Sequence, residues 1–142
     1  MRYFSYGLTV AESEMDQACP EARLLGPATL WSQELRFANQ ADVIEDFLGY
    51  VQGILWEIPE EYIDMVTAYE RHDNKRQLMI NHEGNTMRAW VSHKKIGTPP
   101  QQPSWDYWQE IESAYDEAGL PNDILVRTME VTDYYINLNQ KF

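Results

Sequence analysis

The sequence is poor in cysteine, in cations and in long apolar runs, and each shortage excludes a class of protein. A single cysteine, Cys19, rules out an intrachain disulfide. No apolar run approaches the ~18 residues that a membrane-spanning helix needs, and the first residues lack the pattern of a signal peptide. We therefore expect a cytoplasmic protein with no membrane partner.

Positive charge is scarce as well. The chain has 11 Lys and Arg against 23 Asp and Glu, which gives a formal net charge of −12. So acidic a chain repels the phosphates of nucleic acids at long range, and its richest basic cluster, Arg71 with Lys75 and Arg76, is small. We expect no nucleic-acid partner, and solubility is the simplest role for the acidity.

Motifs for metal, nucleotide and nucleophilic chemistry are missing too. The three histidines, His72, His82 and His93, do not have the spacing of a zinc motif. Cys19 precedes a proline at the predicted end of a helix and has no adjacent histidine, which disfavours a thiol nucleophile. There is no phosphate-binding loop, dinucleotide fingerprint or nucleophile elbow. No metal and no cofactor are expected.

What the sequence does have is enough apolar material for one core. Its 142 residues are the length of one ordinary domain, 44% of them are apolar and 13% are aromatic. We therefore expect residues 1–142 to form a single domain.

Hydrophobic periodicity and turn residues predict strands first, then a helix, a hairpin and two more helices. The predicted strands cover residues 2–7, 22–32, 34–38, 50–58, 76–82 and 86–92. The predicted helices cover residues 11–19, 60–71, 105–118 and 122 to about 136, with a linker at 96–104 and a frayed tail. Many short strands with internal glycines indicate an α+β fold whose mixed sheet is bent or barrel-like.

The turn at Tyr6 and Gly7 is one candidate site. It joins the first predicted strand to the first predicted helix, and free N–H groups at such a turn can hold an oxygen atom of a ligand. A tight turn that serves only packing is the simpler explanation from spacing alone.

Glu70 is the second candidate. It follows Val66 by four residues and Tyr69 by one, so it borders the apolar stripe of the predicted helix. A carboxylate in that position is either partly buried and suited to general-base work, or solvated and paired with Arg71 or Lys75. The residues alone favour the solvated alternative.

Four segments in series resemble gamma-glutamylcyclotransferase-like proteins, over about Tyr3 to Pro121. The first combines the Tyr6-Gly7 turn with "CPEA" and "LGPATL", which are similar to the family's Tyr-Gly turn, Cys-Pro-x-Ala segment and Leu-Gly-x-Ala-x-Leu strand. The second, "VQGILWEI", resembles the strand Val-x-Gly-Val-Leu-Tyr/Trp-Glu-Leu. The third, "VTAYER", resembles the helix end Leu-Asp-x-Tyr-Glu-Gly, whose catalytic glutamate matches Glu70. The fourth, "PSWDY" with "GLP", resembles the Pro-Ser-x-x-Tyr and Gly-Leu-Pro elements.

The resemblance implies a small mixed-sheet barrel with flanking helices and a cavity at one end. It also implies release of 5-oxoproline and an amine or amino acid from a gamma-glutamyl substrate, whose own α-amino group attacks its γ-carbonyl carbon. The implied catalytic acid/base is Glu70, and the implied substrate-binding residues are Tyr6, Gly7, Leu8, Thr9 and Tyr107. In this interpretation Gly7 is small so that substrate can lie against the main chain, and the N–H groups of the turn stabilise the oxyanion. The reaction needs no cofactor, because the nucleophile belongs to the substrate.

Several residues depart from the family pattern. Leu8-Thr9 stand where the family has Ser-Asn or Ser-Leu, Thr67 replaces an aspartate, and Arg71 replaces a glycine. These departures keep open the alternative of a catalytically lapsed cavity protein that binds a small metabolite.

A third hypothesis is an interaction protein with an aromatic surface. Its candidate residues are Trp105, Tyr107, Trp108 and Tyr115. Core packing is the expected use for half of them.

Overall fold

The computed structural model describes residues 1–140 and contains a closed barrel of five strands with four flanking α-helices. The strands are β1 (Arg2–Ser5), β2 (Arg23–Ala38), β3 (Gln40–Glu57), β4 (Asn74–His82) and β5 (Asn85–His93). The helices are α1 (Glu12–Ala18), α2 (Ile63–Tyr69), α3 (Trp105–Ala118) and α4 (Asp123–Gln140). This architecture confirms the predicted α+β fold with a mixed-sheet barrel.

The barrel has the strand order β1-β3-β2-β4-β5, and β5 closes back onto β1. Four of the five strand pairs are antiparallel, whereas β1 and β5 run parallel and meet at Tyr3 and Trp90. The predicted hairpin of β4 and β5 is present, and its turn contains Gly84 with a φ of 80°. The end of β1 pairs with the last part of β3, where Ser5 lies opposite Ile54.

The two predicted strands at 22–32 and 34–38 are in fact one strand, β2. Ser32 interrupts its pairing with β3, because Trp31 pairs with Tyr50 whereas Gln33 pairs with Glu45. Residues 46–49 therefore lie opposite Ser32, whose φ is 61°. Such a bulge bends a strand without ending it. Both sides of the bulge pair with β2, so β3 is one long strand that begins at Gln40 and not near residue 50.

The helices differ from the sequence predictions mainly at their ends. The predicted helix over 60–71 is a 3-10 turn at Glu60–Tyr62 followed by α2, so Glu70 lies just after the last helical residue. A second 3-10 turn at Leu8–Val10 separates β1 from α1. Helix α4 continues past residue 136 to Gln140, and residues 141–142 of the predicted frayed tail lie outside the described residues. Among residues 1–140, every helix is too short or too polar to cross a membrane.

Helix α3 has the predicted bounds, because strong local signals fix both ends. The Ser104 side chain accepts a hydrogen bond from the Tyr107 N–H at 3.2 Å, and Gly119 ends the helix with a φ of 75°. Its buried face, which includes Tyr107, Ile111 and Tyr115, packs toward the turn that follows β1.

Gly53, near the end of β3, lies closely against the end of β1. A Cβ atom on Gly53 would lie 2.5 Å from Phe4 Cζ, and it would also collide with the Ser5 carbonyl oxygen. Only glycine leaves room for β1 to end at this point against β3. The turn that follows β1 is thereby held at one end of the barrel.

Candidate functional site

Glu70 lies at the end of α2 and reaches across the barrel end to the turn after β1. Its side chain is 3% exposed, and its Oε1 accepts a hydrogen bond from the Leu8 N–H at 2.9 Å. Its Oε2 accepts from the Thr9 N–H at 3.1 Å and from the Thr9 hydroxyl at 2.7 Å. Three donors satisfy a buried carboxylate, which accepts hydrogen bonds but donates none when ionised. The solvated alternative for Glu70 is therefore wrong, and Lys75 pairs with Asp64 instead.

Gly7 leaves room for the Glu70 carboxylate, which corrects the expectation that it leaves room for substrate. A Cβ atom on Gly7 would lie 2.6 Å from Glu70 Oε1 and 2.8 Å from Oε2. The φ of Gly7 is −103°, so space rather than backbone conformation requires glycine. The N–H groups of Leu8 and Thr9 are bonded to Glu70, so they do not face the oxyanion of a substrate as expected.

Two further hydrogen bonds, from the Ser5 and Tyr115 hydroxyl groups, hold the same turn. The Thr9 hydroxyl donates to Glu70, so the Ser5 hydroxyl, 2.8 Å away, donates to Thr9. The Tyr6 carbonyl accepts a hydrogen bond from the buried Tyr115 hydroxyl at 2.6 Å. Turn and carboxylate thus form one buried unit with little freedom to shift.

A cleft of about 340 Å³ opens above this unit. Its lining residues are Leu8, Glu14, Gln17, Gln40, Tyr69, Glu70, Arg71, Tyr107 and Glu110. Of the residues expected from the sequence, the cleft brings together Leu8, Glu70 and Tyr107, whereas Tyr6, Gly7 and Thr9 lie outside its lining. Sequence reasoning missed its other members as ligand contacts, because they come from four separate parts of the chain: α1, the start of β3, the end of α2, and α3.

The Tyr107 hydroxyl accepts a hydrogen bond but donates none within residues 1–140. Its oxygen accepts a hydrogen bond from the Ala41 N–H at 3.0 Å, and its side chain is 6% exposed. Burial, and after it the charge of Glu70, raises the pKa of Tyr107 well above the ordinary tyrosine value, so the hydroxyl stays protonated. Within residues 1–140 the hydroxyl proton has no acceptor. Because Tyr107 also lines the cleft, its hydroxyl is a candidate donor to a ligand there.

The buried His72 binds Ala41, the β3 residue whose N–H donates to the Tyr107 hydroxyl. His72 Nε2 lies 2.8 Å from the Ala41 carbonyl oxygen and must carry the proton, since a carbonyl only accepts. Burial lowers the pKa of His72, so the ring is neutral and its Nδ1 accepts from the Ser92 hydroxyl at 2.6 Å. The Tyr3 hydroxyl in turn donates to Ser92 Oγ at 2.7 Å. His72 and Tyr107 thus bind the carbonyl and the N–H of the same residue, Ala41.

We expect the folded state to lose stability as the pH falls through the range in which His72 titrates. Its folded pKa lies below the ordinary value of 6.5, so the unfolded chain takes up the proton first and acid favours unfolding. Above pH 6.5 the contribution is fully present. Urea unfolding at about pH 7.5 and about pH 5 should show a smaller loss for His72→Gln than for the wild type. His82→Gln is the matched control, and an unchanged pH dependence in His72→Gln would contradict this account.

Two departures from the family pattern have visible structural consequences. Arg71 has a φ of 59°, in the left-handed region that favours glycine, so the family's glycine suits this backbone better. The Thr67 hydroxyl donates to the Ile63 carbonyl within α2 at 2.8 Å, so this side chain serves the helix rather than the cleft.

The four aromatic residues considered for an interaction surface do not form one. Tyr107 and Tyr115 are buried in the core. Trp108 is half-buried and meets Phe37 edge-on with ring centroids 6.2 Å apart. Only Trp105 among the four is exposed, at 69%. Core packing therefore accounts for three of the four residues.

Three solved structures show which known proteins share this fold. A gamma-glutamyl cyclotransferase has a TM-score of 0.73 at 17% identity, over 90% of this chain and 85% of that one. The human protein loc79017, described as uncharacterized, has a TM-score of 0.73 at 18% identity, over 89% of this chain and 85% of that one. YkqA from Bacillus subtilis has a TM-score of 0.68 at 20% identity, over 92% of this chain but 54% of its own length.

Sequence comparison adds nothing at the level of family models or curated proteins. No protein-family model and no curated protein matches the chain. Identities of 17% to 20% establish a shared fold and leave the activity to be argued from the site. The resemblance of the four sequence segments is confirmed at that level: the chain has the gamma-glutamyl cyclotransferase fold.

Proposed function

We propose that the chain releases 5-oxoproline and an amine or amino acid from a gamma-glutamyl substrate. The observation that carries this proposal is the Glu70 carboxylate, buried at one side of the cleft and fixed by three hydrogen bonds from the turn. A base held in this way needs no reorganisation before it acts. The shared fold with a gamma-glutamyl cyclotransferase supports the choice of substrate class.

Glu70 acts as the base and then as the acid of one cyclisation. The α-ammonium group of the substrate gives a proton to the Glu70 carboxylate, which frees the nitrogen lone pair. The nitrogen then forms a bond to the γ-carbonyl carbon, and the carbonyl π electrons move onto its oxygen. When the carbonyl re-forms, the bond to the leaving nitrogen breaks, and that nitrogen takes the proton from Glu70. The attacking nitrogen gives its second proton to the Glu70 carboxylate, which passes it to the departing amine. The protein ends in its starting protonation state.

The developing oxyanion needs a hydrogen-bond donor, and Tyr107 supplies it in this proposal. The N–H groups of Leu8 and Thr9 are occupied by Glu70, whereas the Tyr107 hydroxyl keeps a free proton. Its raised pKa keeps that proton in place, and the Ala41 N–H holds its oxygen. A donor fixed before the reaction stabilises the charge as it forms.

The direct experiment is an assay for 5-oxoproline. The protein is incubated with a panel of gamma-glutamyl amino acids and gamma-glutamyl amines, and 5-oxoproline and the released amine are measured by chromatography. We expect equal amounts of both products from at least one substrate. A panel that gives no 5-oxoproline would overturn the proposal.

The alternative of a catalytically lapsed binding protein has one observation in its favour. All three donors of the turn are used by Glu70 itself, so the turn is satisfied without a ligand. This alternative predicts that calorimetry detects binding of a gamma-glutamyl compound while the chromatographic assay detects no 5-oxoproline. The two measurements on the same panel separate the alternatives.

A further inference from the structure

Arg71 occupies a backbone conformation that an arginine rarely adopts. Its φ of 59° lies in the left-handed region, where a side chain with a Cβ atom is strained. Two contacts hold it there: its N–H donates to the Ala68 carbonyl at 2.9 Å, and the Lys94 ammonium donates to its carbonyl at 2.8 Å. Strain of this kind persists only where the surrounding structure enforces it, and it is concentrated at functional sites.

Arg71 is one of the residues that line the cleft. It takes part in no ion pair within residues 1–140, although the cleft also contains Glu14 and Glu110. Glu14 accepts a hydrogen bond from the Tyr69 hydroxyl instead. The cleft is therefore lined by an arginine that has no ion-pair partner in residues 1–140 and that directly follows Glu70 in the sequence.

This pair of opposite charges matches the two charged groups of a gamma-glutamyl substrate. The α-ammonium and the α-carboxylate of that substrate are attached to the same carbon, and Glu70 and Arg71 are consecutive residues at the same cleft. Resting on the proposed function, we propose that Arg71 binds the substrate's α-carboxylate. A planar guanidinium binds a carboxylate by donating two parallel hydrogen bonds to its oxygens. Binding there turns the α-amino group toward Glu70, so the cleft selects compounds with a free α-carboxylate.

The experiment uses two pairs of compounds, and the members of each pair differ only in this carboxylate. A gamma-glutamyl amide is compared with the 4-aminobutanoyl amide of the same amine, and 5-oxoproline with pyrrolidin-2-one, its analogue without the carboxylate. Arg71→Gly should raise KM for the gamma-glutamyl amide by about 10- to 100-fold, the usual effect of losing a hydrogen bond to a charged group, and lower kcat much less. It should weaken 5-oxoproline binding in calorimetry by a similar factor and leave pyrrolidin-2-one unaffected.

The choice of variants separates binding from folding. Arg71→Gly replaces a strained residue with the residue that the backbone favours, so its thermal midpoint should equal or exceed that of the wild type. Arg71→Lys should restore part of the affinity, because an ammonium still pairs with a carboxylate but without the two parallel bonds. Arg88→Gly, at an exposed position on β5, is the matched control for the loss of one positive charge.

The outcomes distinguish this inference from the proposed function. If the wild type turns over gamma-glutamyl amides and Arg71→Gly leaves KM unchanged or improves it, the inference fails and the proposed function stands. If no turnover occurs but 5-oxoproline binds in an Arg71-dependent way, the inference stands and the proposed catalysis fails. Absence of detectable 5-oxoproline binding to the wild type, or equal weakening of pyrrolidin-2-one in Arg71→Gly, would also overturn the inference.

Discussion

Glu70→Gln should slow the release of 5-oxoproline by about 10²- to 10⁴-fold, the usual effect of removing a general base. Glutamine keeps the size of the side chain, but its amide cannot accept the proton that the substrate's α-ammonium group must lose. Glu70→Asp should also be impaired, because one methylene withdraws the carboxylate by about 1.5 Å and a misplacement of about 1 Å can cost ~10²-fold. The measurement is kcat for the best substrate of the panel.

Two controls are needed for Glu70→Gln, because the variant also changes the turn. Its NH₂ group must face the N–H of Leu8 or of Thr9, so one hydrogen bond of the turn is lost. The thermal midpoint and the affinity for 5-oxoproline show whether the cleft survives this loss. Glu130→Gln makes the same change at an exposed position on α4 and should keep the wild-type rate. A Glu70→Gln variant that retains most of its rate would show that this carboxylate is not the base.

Gly7→Ala should reduce kcat by about 10²-fold, through displacement of the same carboxylate. The added methyl group would lie 2.6 Å from Glu70 Oε1 and 2.9 Å from Cδ, and real Cβ atoms do not approach other atoms so closely. The carboxylate must therefore move away and loosen its bonds to Leu8 and Thr9. Kinetics of the purified variant test this, alongside its thermal midpoint.

A double-mutant cycle identifies Glu70 as the cause of this effect. In a Glu70→Ala background the atoms that the new methyl group would meet are absent, so Gly7→Ala should destabilise the fold less than it does in the wild type. Unfolding free energies of the four proteins in the cycle give the coupling. Equal destabilisation in both backgrounds would mean that another contact requires the glycine.

The parts of the fold that were predicted correctly carry their signals locally. Helix α3 has a serine cap and a terminal glycine, and the hairpin of β4 and β5 has a glycine turn. The first part of β3 was missed, because Asp46 and Gly49 are residues typical of turns, whereas here they lie in a bulge. That bulge exists only because β2 pairs on both sides of it, and such tertiary pairing leaves no mark on local sequence.

The site was predicted at the level of residues but not of atoms. Spacing alone favoured a solvated Glu70, and only the resemblance to a family placed it opposite the turn. The resemblance identified which residues meet, yet it assigned the N–H groups of Leu8 and Thr9 to the substrate and not to Glu70. Hydrogen-bond partners across a barrel depend on how the elements pack, which neither periodicity nor a motif specifies.

We expect closure of the barrel through the parallel contact of Tyr3 with Trp90 to be a late step of folding. Contacts between residues so distant in sequence form late, because closing a long loop costs conformational entropy that only the completed contacts offset. The hydrogen bonds from Leu8 and Thr9 to Glu70 join residues 62 and 61 positions apart, so we expect them to form late as well. A chain that has formed its hairpins but not its barrel has no base in position, so only the completely folded population is competent for the proposed reaction.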